Sequence, residues 1–273
     1  MKIVISHDVD HIHVTEHWHD KIASKFLVRT LFELSGGRIP LHAFVERLKC
    51  IYLNKWENID EIMKFDEKHA VPSTFFIGVA NGLGLSYSLE NARNVIERIE
   101  NNGFDVGVHG ISVNSLEDMN LEFSLFHDIS KSQKFGIRTH YLRSSKNYLD
   151  YVEEIGYLYD SSNYLMGDPK IYKNIVLFPL NVMDGKLIET KPFGVQRSNY
   201  DFIFNKTKKI ISNAENNNQE YFTLLFHDRY FSDEFPVWKK WYIEIIKYLI
   251  SEGHTFINFE NATELLKMNK LKN

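Results

Sequence analysis

The stretch that most narrows the choice of fold is Lys2-Ile3-Val4-Ile5-Ser6-His7-Asp8-Val9-Asp10-His11. Ile3, Val4 and Ile5 are consecutive β-branched residues, which favour an extended, buried strand. The strand then runs straight into two aspartates and two histidines. Such a run makes a poor surface. It suits the mouth of an α/β site, where strand ends deliver side chains into a pocket.

The same arrangement recurs downstream. Pro72 precedes a strand over 73–78, and Ser88 caps a helix whose apolar face is Leu89, Ala92, Val95, Ile96 and Ile99. A strand from Phe104 to Val108 ends at His109-Gly110, and one from Gly136 carries Arg138 and His140. Tyr157-Leu158-Tyr159 ends at Asp160, Ile175–Leu180 is followed by the turn signal Asp184-Gly185, and Tyr221–Phe226 ends at His227-Asp228. Strands alternating with helical stretches predict parallel strands with crossover helices, hence a barrel or a doubly wound sheet. In either fold the carboxyl ends of the strands meet on one face, so Asp8, Asp10, His109, Arg138, His140, Asp160, His227 and Asp228 are expected to share a site.

Residues 14–56 break the alternation and read as a helical, aromatic-rich insertion over the mouth of the fold, within a single domain over 1–273. The net charge of -4 and pI near 6.3 argue against a nucleic-acid partner. Cys50 is the single cysteine, which excludes an intrachain disulfide and a thiolate cage, so any metal must be held by His, Asp or Glu. No secretory signal or membrane span is visible, and the expected location is the cytoplasm.

The segments Ser6-His7-Asp8-Val9-Asp10, Ser73-Thr74-Phe75-Phe76, Gly107-Val108-His109-Gly110, Arg138-Thr139-His140-Tyr141-Leu142, Tyr159-Asp160-Ser161-Ser162 and Leu225-Phe226-His227-Asp228 resemble the polysaccharide deacetylase (NodB-homology) family. Their order and spacing match from residue 2 to about 260, with the weakest match in the insertion. The opening motif and the segment from Arg138 to Arg143 resemble a branch associated with bacterial surface-polysaccharide and O-antigen biosynthesis.

The resemblance implies a distorted (β/α) barrel of about seven strands, with a helical insertion after the first. It implies removal of N- or O-linked acyl groups from carbohydrates with a divalent metal, usually zinc. Residue by residue, Asp8 matches the catalytic base, Asp10 a metal ligand, Arg138 the arginine that holds the base, and His227 the general acid. His109 falls on the family's His-Gly metal loop. An aspartate near His227, either Asp160 or Asp228, is expected to favour its protonated form.

The family's second loop histidine is replaced by Val113, which cannot bind a metal. A catalytic zinc needs three protein ligands, and His140 is the first choice for the third, since it stands two residues from Arg138 on the same face of an extended segment. Asn114, His11 and His7 are the reserves.

The expected substrate is a sugar nucleotide or lipid-linked glycan precursor carrying an N-acyl group. The alternatives are hydrolysis of a ureide-like C–N bond, or glycan binding at a decayed site. His17-Trp18-His19 reads as packing or lid surface, and His127 and His254 as surface residues. Asp168 reads as a turn residue, while Phe231, Trp238 and Trp241 read as core before sugar-stacking positions. Arg143 and Arg229 are candidates for an anion clamp or for plain surface.

Overall fold

The structure, a computed structural model, describes residues 1–187, 190–191, 195–196 and 200–272. The first half comprises β1 (Lys2–Val9), α1 (Ile22–Ser35), α2 (Leu41–Tyr52), α3 (Ile59–Lys68), β2 (Thr74–Ile77), α4 (Leu89–Asn101), β3 (Asp105–Gly110) and α5 (Leu116–Ile129). Next come β4 (Ile137–Thr139), α6 (Tyr148–Ile155), β5 (Tyr159–Tyr164), β6 (Lys170–Tyr172), β7 (Ile175–Leu180), β8 (Val182–Met183) and α7 (Asp184–Leu187). The chain ends with β9 (Thr190–Lys191), β10 (Val195–Gln196), α8 (Tyr200–Asn216), β11 (Tyr221–Leu225), α9 (Pro236–Ser251), β12 (Thr255–Phe256) and α10 (Phe259–Lys272).

Strands β5, β4, β3, β2, β1, β11 and β8 pair side by side in that order, all parallel. β7 and β8 are one run of chain broken only at Asn181: β7 pairs with β5, and β8 with β11. Asn181 donates its N–H to Thr223 O at 3.0 Å, and its Oδ1 accepts Thr223 N–H at 2.8 Å. The two ends of the sheet thus meet in a single segment. Counting β7 and β8 as one strand, the ring has the expected seven, distorted where that segment changes partner.

Alternation along the strands sorts side chains to the inside or outside of the barrel. Val4, Phe76, Tyr159, Val176, Phe178 and Tyr221 pack inside with Phe259 of α10. Phe259 closes the end opposite the strand tips, stacked on Tyr159 with ring centres 4.7 Å apart. Gly107 also faces inward, where a β-carbon would lie 2.8 Å from the Phe76 ring. Outward, Ile3, Ile5, Val106, Val108, Phe222 and Leu224 join the larger core under the helices. Trp238 and Trp241 of α9 are buried there, as is Phe231, so these rings are core and not a sugar platform.

The insertion is helical, as its sequence suggests. A short 3-10 turn (Val14–His17) leads into α1 and α2. Arg229 fastens it to the barrel: its guanidinium bonds Glu234 at 2.6 Å and lies 5.3 Å from the Phe26 ring centre and 5.4 Å from that of Trp56. A buried Arg47–Glu33 pair at 2.7 Å ties α2 to α1. Arg229 is therefore neither a surface residue nor free to clamp an anion.

Candidate active site

The cleft at the strand tips has a volume of about 220 Å³, and its floor carries Asp8, Asp10, His109, His140 and His227. Strand parity explains the selection. Residues 4, 6, 8 and 10 lie on the inward side of the first strand and its extension, as do 107 and 109, 138 and 140, and 225 and 227. The outward neighbours serve the core. His7, fully buried, bonds Asp66 at 3.0 Å and the Phe226 carbonyl at 2.9 Å, so it is no metal ligand.

Arg138 is fully buried, and it orients Asp8 by donating to its Oδ1 at 2.8 Å. The other donors of the guanidinium go to Ser6 Oγ at 2.9 Å, Ser161 O at 3.0 Å and Ser161 Oγ at 2.9 Å. The ring of Phe76 lies 4.2 Å from its carbon. Burial alone would raise the Asp8 carboxyl's pKa, but Arg138, His109 and His227 outweigh it and the net shift is downward. Asp8 is thereby kept ionised with Oδ2 turned towards the cleft side, 3.9 Å from His109.

Asp10 Oδ1, His109 Nε2 and His140 Nδ1 form a triangle with edges of 3.2, 3.4 and 3.0 Å. Each ring is turned by a backbone carbonyl behind it: His109 Nδ1–H donates to Arg138 O at 3.1 Å, and His140 Nε2–H to Leu83 O at 3.3 Å. A carbonyl only accepts, so in the neutral rings the facing nitrogens both carry lone pairs. Asp10 Oδ1 is buried and has no hydrogen-bond partner among the described residues. Three acceptors held edge to edge repel one another unless a cation lies between them. A tetrahedral zinc with bonds of about 2.0–2.1 Å sets its ligand atoms roughly 3.3–3.4 Å apart, close to the edges found here. The triad is near enough to hold a metal ion.

Position 113 contributes nothing to the triad. Val113 is buried in the core and Asn114 is exposed, so neither joins Asp10, His109 and His140. Glu122 shapes this loop instead, accepting from the N–H groups of Ile111 at 2.9 Å and Ser112 at 2.7 Å. His140 reaches the triad through a turn in which Tyr141 and Leu142 both have positive φ, 60° and 53°. Such residues cost about 1–2 kcal/mol each. Thr139 Oγ1 donates to Arg143 O at 2.6 Å across this turn, and Arg143 bonds Ile111 O, so Arg143 braces the loop.

Opposite the triad, His227 Nδ1–H donates to Asp184 Oδ1 at 2.7 Å, and its backbone N–H to Asp184 Oδ2 at 2.7 Å. Burial works against the imidazolium, but Asp184, then Asp10 and Asp8, raise its pKa from 6.5 to about 10. The partner expected from sequence was Asp160 or Asp228, and neither fills that role. Asp160 is paired with Ile137 across β4 and β5, so it points outward, where it accepts from Tyr148 Oη at 2.6 Å and Ser162 Oγ. It lines a neighbouring cavity of about 480 Å³ that shares Leu142 with the cleft. Asp228 also points outward, accepting from Asn58 N–H at 3.0 Å, and burial pushes its pKa up to about 8. Asp184 was masked in the sequence by Gly185, since Asp-Gly reads as a turn. Its usable signal was that it follows a strand, as the other site residues do.

The insertion contributes a second unforeseen feature. His11 lines the cleft, and its Nδ1–H donates to His17 Nε2 at 3.0 Å, while His17 Nδ1–H donates to Asp20 at 2.8 Å. Burial, opposed by Asp10, lowers the His11 pKa to about 3. His17 is thus a buried link while Trp18 and His19 are exposed. Asp168 accepts from the N–H groups of Glu220 and Tyr221, and His254 lies by the terminal amine, both away from the cleft.

No protein-family model matches the chain, and no curated protein matches it by sequence. Its structure is similar to one described as a polysaccharide deacetylase from Mycobacterium smegmatis, with TM-score 0.65 and 12% identity, covering 98% of this chain and 91% of that one. One described as a polysaccharide deacetylase from Pseudomonas aeruginosa gives 0.58 and 15%, covering 96% and 89%. A CE4 family pseudoenzyme from Bacillus anthracis gives 0.52 and 10%, covering 96% and 65%. Likeness at these identities establishes a shared (β/α)-barrel fold.

Proposed function

We propose that the chain is a metal-dependent carbohydrate deacylase, hydrolysing the N-acyl bond of a sugar or glycan precursor in surface-polysaccharide synthesis in the cytoplasm. The observation that carries the reading is the triangle of lone-pair donors flanked by an ionised Asp8 on one side and a cationic His227 on the other. Asp10, His109 and His140 would hold the divalent cation, zinc by the N and O donor set, and when bound it supplies Lewis acidity and a water of lowered pKa.

The remaining chemistry belongs to the chain. Asp8, with Oδ1 held by Arg138, takes a proton from the attacking water at Oδ2. The water oxygen bonds to the acyl carbon as the C–N bond breaks, and His227 Nε2–H gives its proton to the departing sugar nitrogen. The products are a carboxylate and a free amino sugar. Asp184 holds the His227 ring in register and keeps it charged until that transfer. Tyr141, Leu142, Met183 and Tyr230 wall the cleft around the acyl group.

The test is acetate or formate release from N-acyl sugars by the zinc-loaded chain. Asp8→Asn should lower turnover by about 10²–10⁴, and undiminished turnover would remove Asp8 from the mechanism. Release of ammonia without a carboxylate would favour the ureide-like alternative. The pseudoenzyme of similar fold and Val113 together favour a second reading, glycan binding without catalysis. That reading predicts sugar binding with no stoichiometric metal.

A further inference from the structure

The two helices of the insertion are laid with the wrong face outward for a solvent-exposed hairpin. α2 buries Ala43 and Arg47 and turns Leu41, Val45, Leu48 and Tyr52 to the outside, 69, 51, 40 and 88% exposed. These positions are spaced i, i+4, i+7 and i+11, one straight stripe. α1 buries Ala23, Thr30 and Glu33 and exposes Leu27, Val28, Leu31 and Phe32. The buried sides of both helices meet the segment after β11: Arg47 donates to Glu234 O at 3.4 Å and Phe26 packs on Phe235 with ring centres 6.4 Å apart, so both stripes face away from the barrel. Monomeric proteins seldom leave an apolar patch of this extent open.

The charge around the patch says what covers it. With the buried Arg47–Glu33 pair set aside, residues 20–55 hold six Lys and Arg against two Asp and Glu, in a chain whose net charge is -4. Lys21, Lys25 and Arg38 are exposed and have no ionic partner among the described residues. A second copy on a two-fold axis would set this cationic rim against itself, like charge on like. An anionic bilayer surface meets both properties, taking apolar side chains below the headgroups and cations at their level. We propose that the outer face of the α1–α2 hairpin is a docking surface for a lipid bilayer carrying anionic headgroups. Neither helix is long and apolar enough to cross a membrane, so the hairpin lies on it.

The patch continues to the cleft. A β-carbon at Gly84 would lie 3.0 Å from Ile22 at the start of α1 and 4.0 Å from Tyr141 Oη, and Tyr141 and Leu83 are themselves exposed at the cleft rim. Docking through the hairpin therefore sets the cleft beside the headgroups, where a glycan carried on a lipid is the substrate within reach. The surface itself is independent of the deacylase reading.

Flotation of the full chain with phosphatidylcholine vesicles, with and without 30% phosphatidylglycerol, tests it. Binding is expected only with phosphatidylglycerol and should weaken as salt rises. Replacing Leu31, Phe32, Val45 and Leu48 by Ser should abolish flotation at unchanged circular dichroism. Replacing Lys21, Lys25 and Arg38 by Ser should weaken it on the order of a hundredfold, at about fivefold per cation. Failure to float with the anionic vesicles, or equal binding to both, would overturn the proposal. So would a dimer in sedimentation that the Phe32→Ser change dissociates, since a second copy would then occupy the face.

Discussion

Replacing Asp184 by Asn probes the acid side of the site without touching the metal triad. Asp184 is fully buried, bonds the His227 ring and backbone at 2.7 Å each, and is the first of the charges that lift the imidazole from 6.5 to about 10. A single opposite charge at this range is worth about 1–3 pKa units. In the variant, Asp10 and Asp8 remain, so His227 should titrate at roughly 7–9. At pH 9 the charged fraction then falls from about 90% to 50% or far less, and the alkaline limb of the pH–rate profile moves down with it. Asn also turns an amide N–H against one of the two His227 donors, leaving a buried group unmatched at about 1–3 kcal/mol, besides the lost charged bond of about 1.5–3 kcal/mol. Together they come to about 2.5–6 kcal/mol, which corresponds to about 5–24 °C in Tm.

The pH dependence has a definite sign. A folded pKa raised from 6.5 to about 10 stabilises the fold fully below pH 6.5, and that contribution is lost as pH rises towards 10. The metal-free parent should therefore lose Tm across this window, and Asp184→Asn should show a flatter profile. NMR titration of the His227 ring in the metal-free chain reads the pKa directly. A ring that titrates near 6.5 in the parent, or identically in both proteins, would refute the reasoning.

His140→Ala should reduce zinc affinity by at least a hundredfold in calorimetric titration, while Val113→His should restore none of it, because position 113 faces the core. Asp160→Asn should leave the alkaline limb in place, since Asp160 faces away from the cleft and is not among the charges that raise the His227 pKa, yet lower Tm through its bonds to Tyr148 and Ser162. Gly107→Ala should destabilise by about 1–3 kcal/mol in urea titration, as the new methyl meets the Phe76 ring at 2.8 Å.

Apolar strands that stop at ionisable residues made the barrel and most of the cleft's polar lining legible, because parallel strands bring their carboxyl ends to one face. What was missed follows from two physical causes. Applied to Tyr159, Asp160 and Ser161, period-two alternation would have sent Asp160 out of the barrel, since Tyr159 packs inside. The strand ending at Asp184 is closed by an Asp-Gly pair whose turn propensity hides a buried carboxylate. The insertion's contribution, the His11–His17–Asp20 chain, depends on how α1 is docked, and no local pattern encodes that. Arg229 failed for the same reason, its partners Phe26, Trp56 and Glu234 coming from three separate parts of the chain.

The most direct test of the central claim is anomalous diffraction from crystals of the zinc-loaded chain, measured at the metal edge. One peak inside the triangle of Asp10 Oδ1, His109 Nε2 and His140 Nδ1, facing Asp8 and His227, is the expected result. Full zinc occupancy at another place, or a His140 ring turned out of the cleft with no peak beside Asp10, would contradict it.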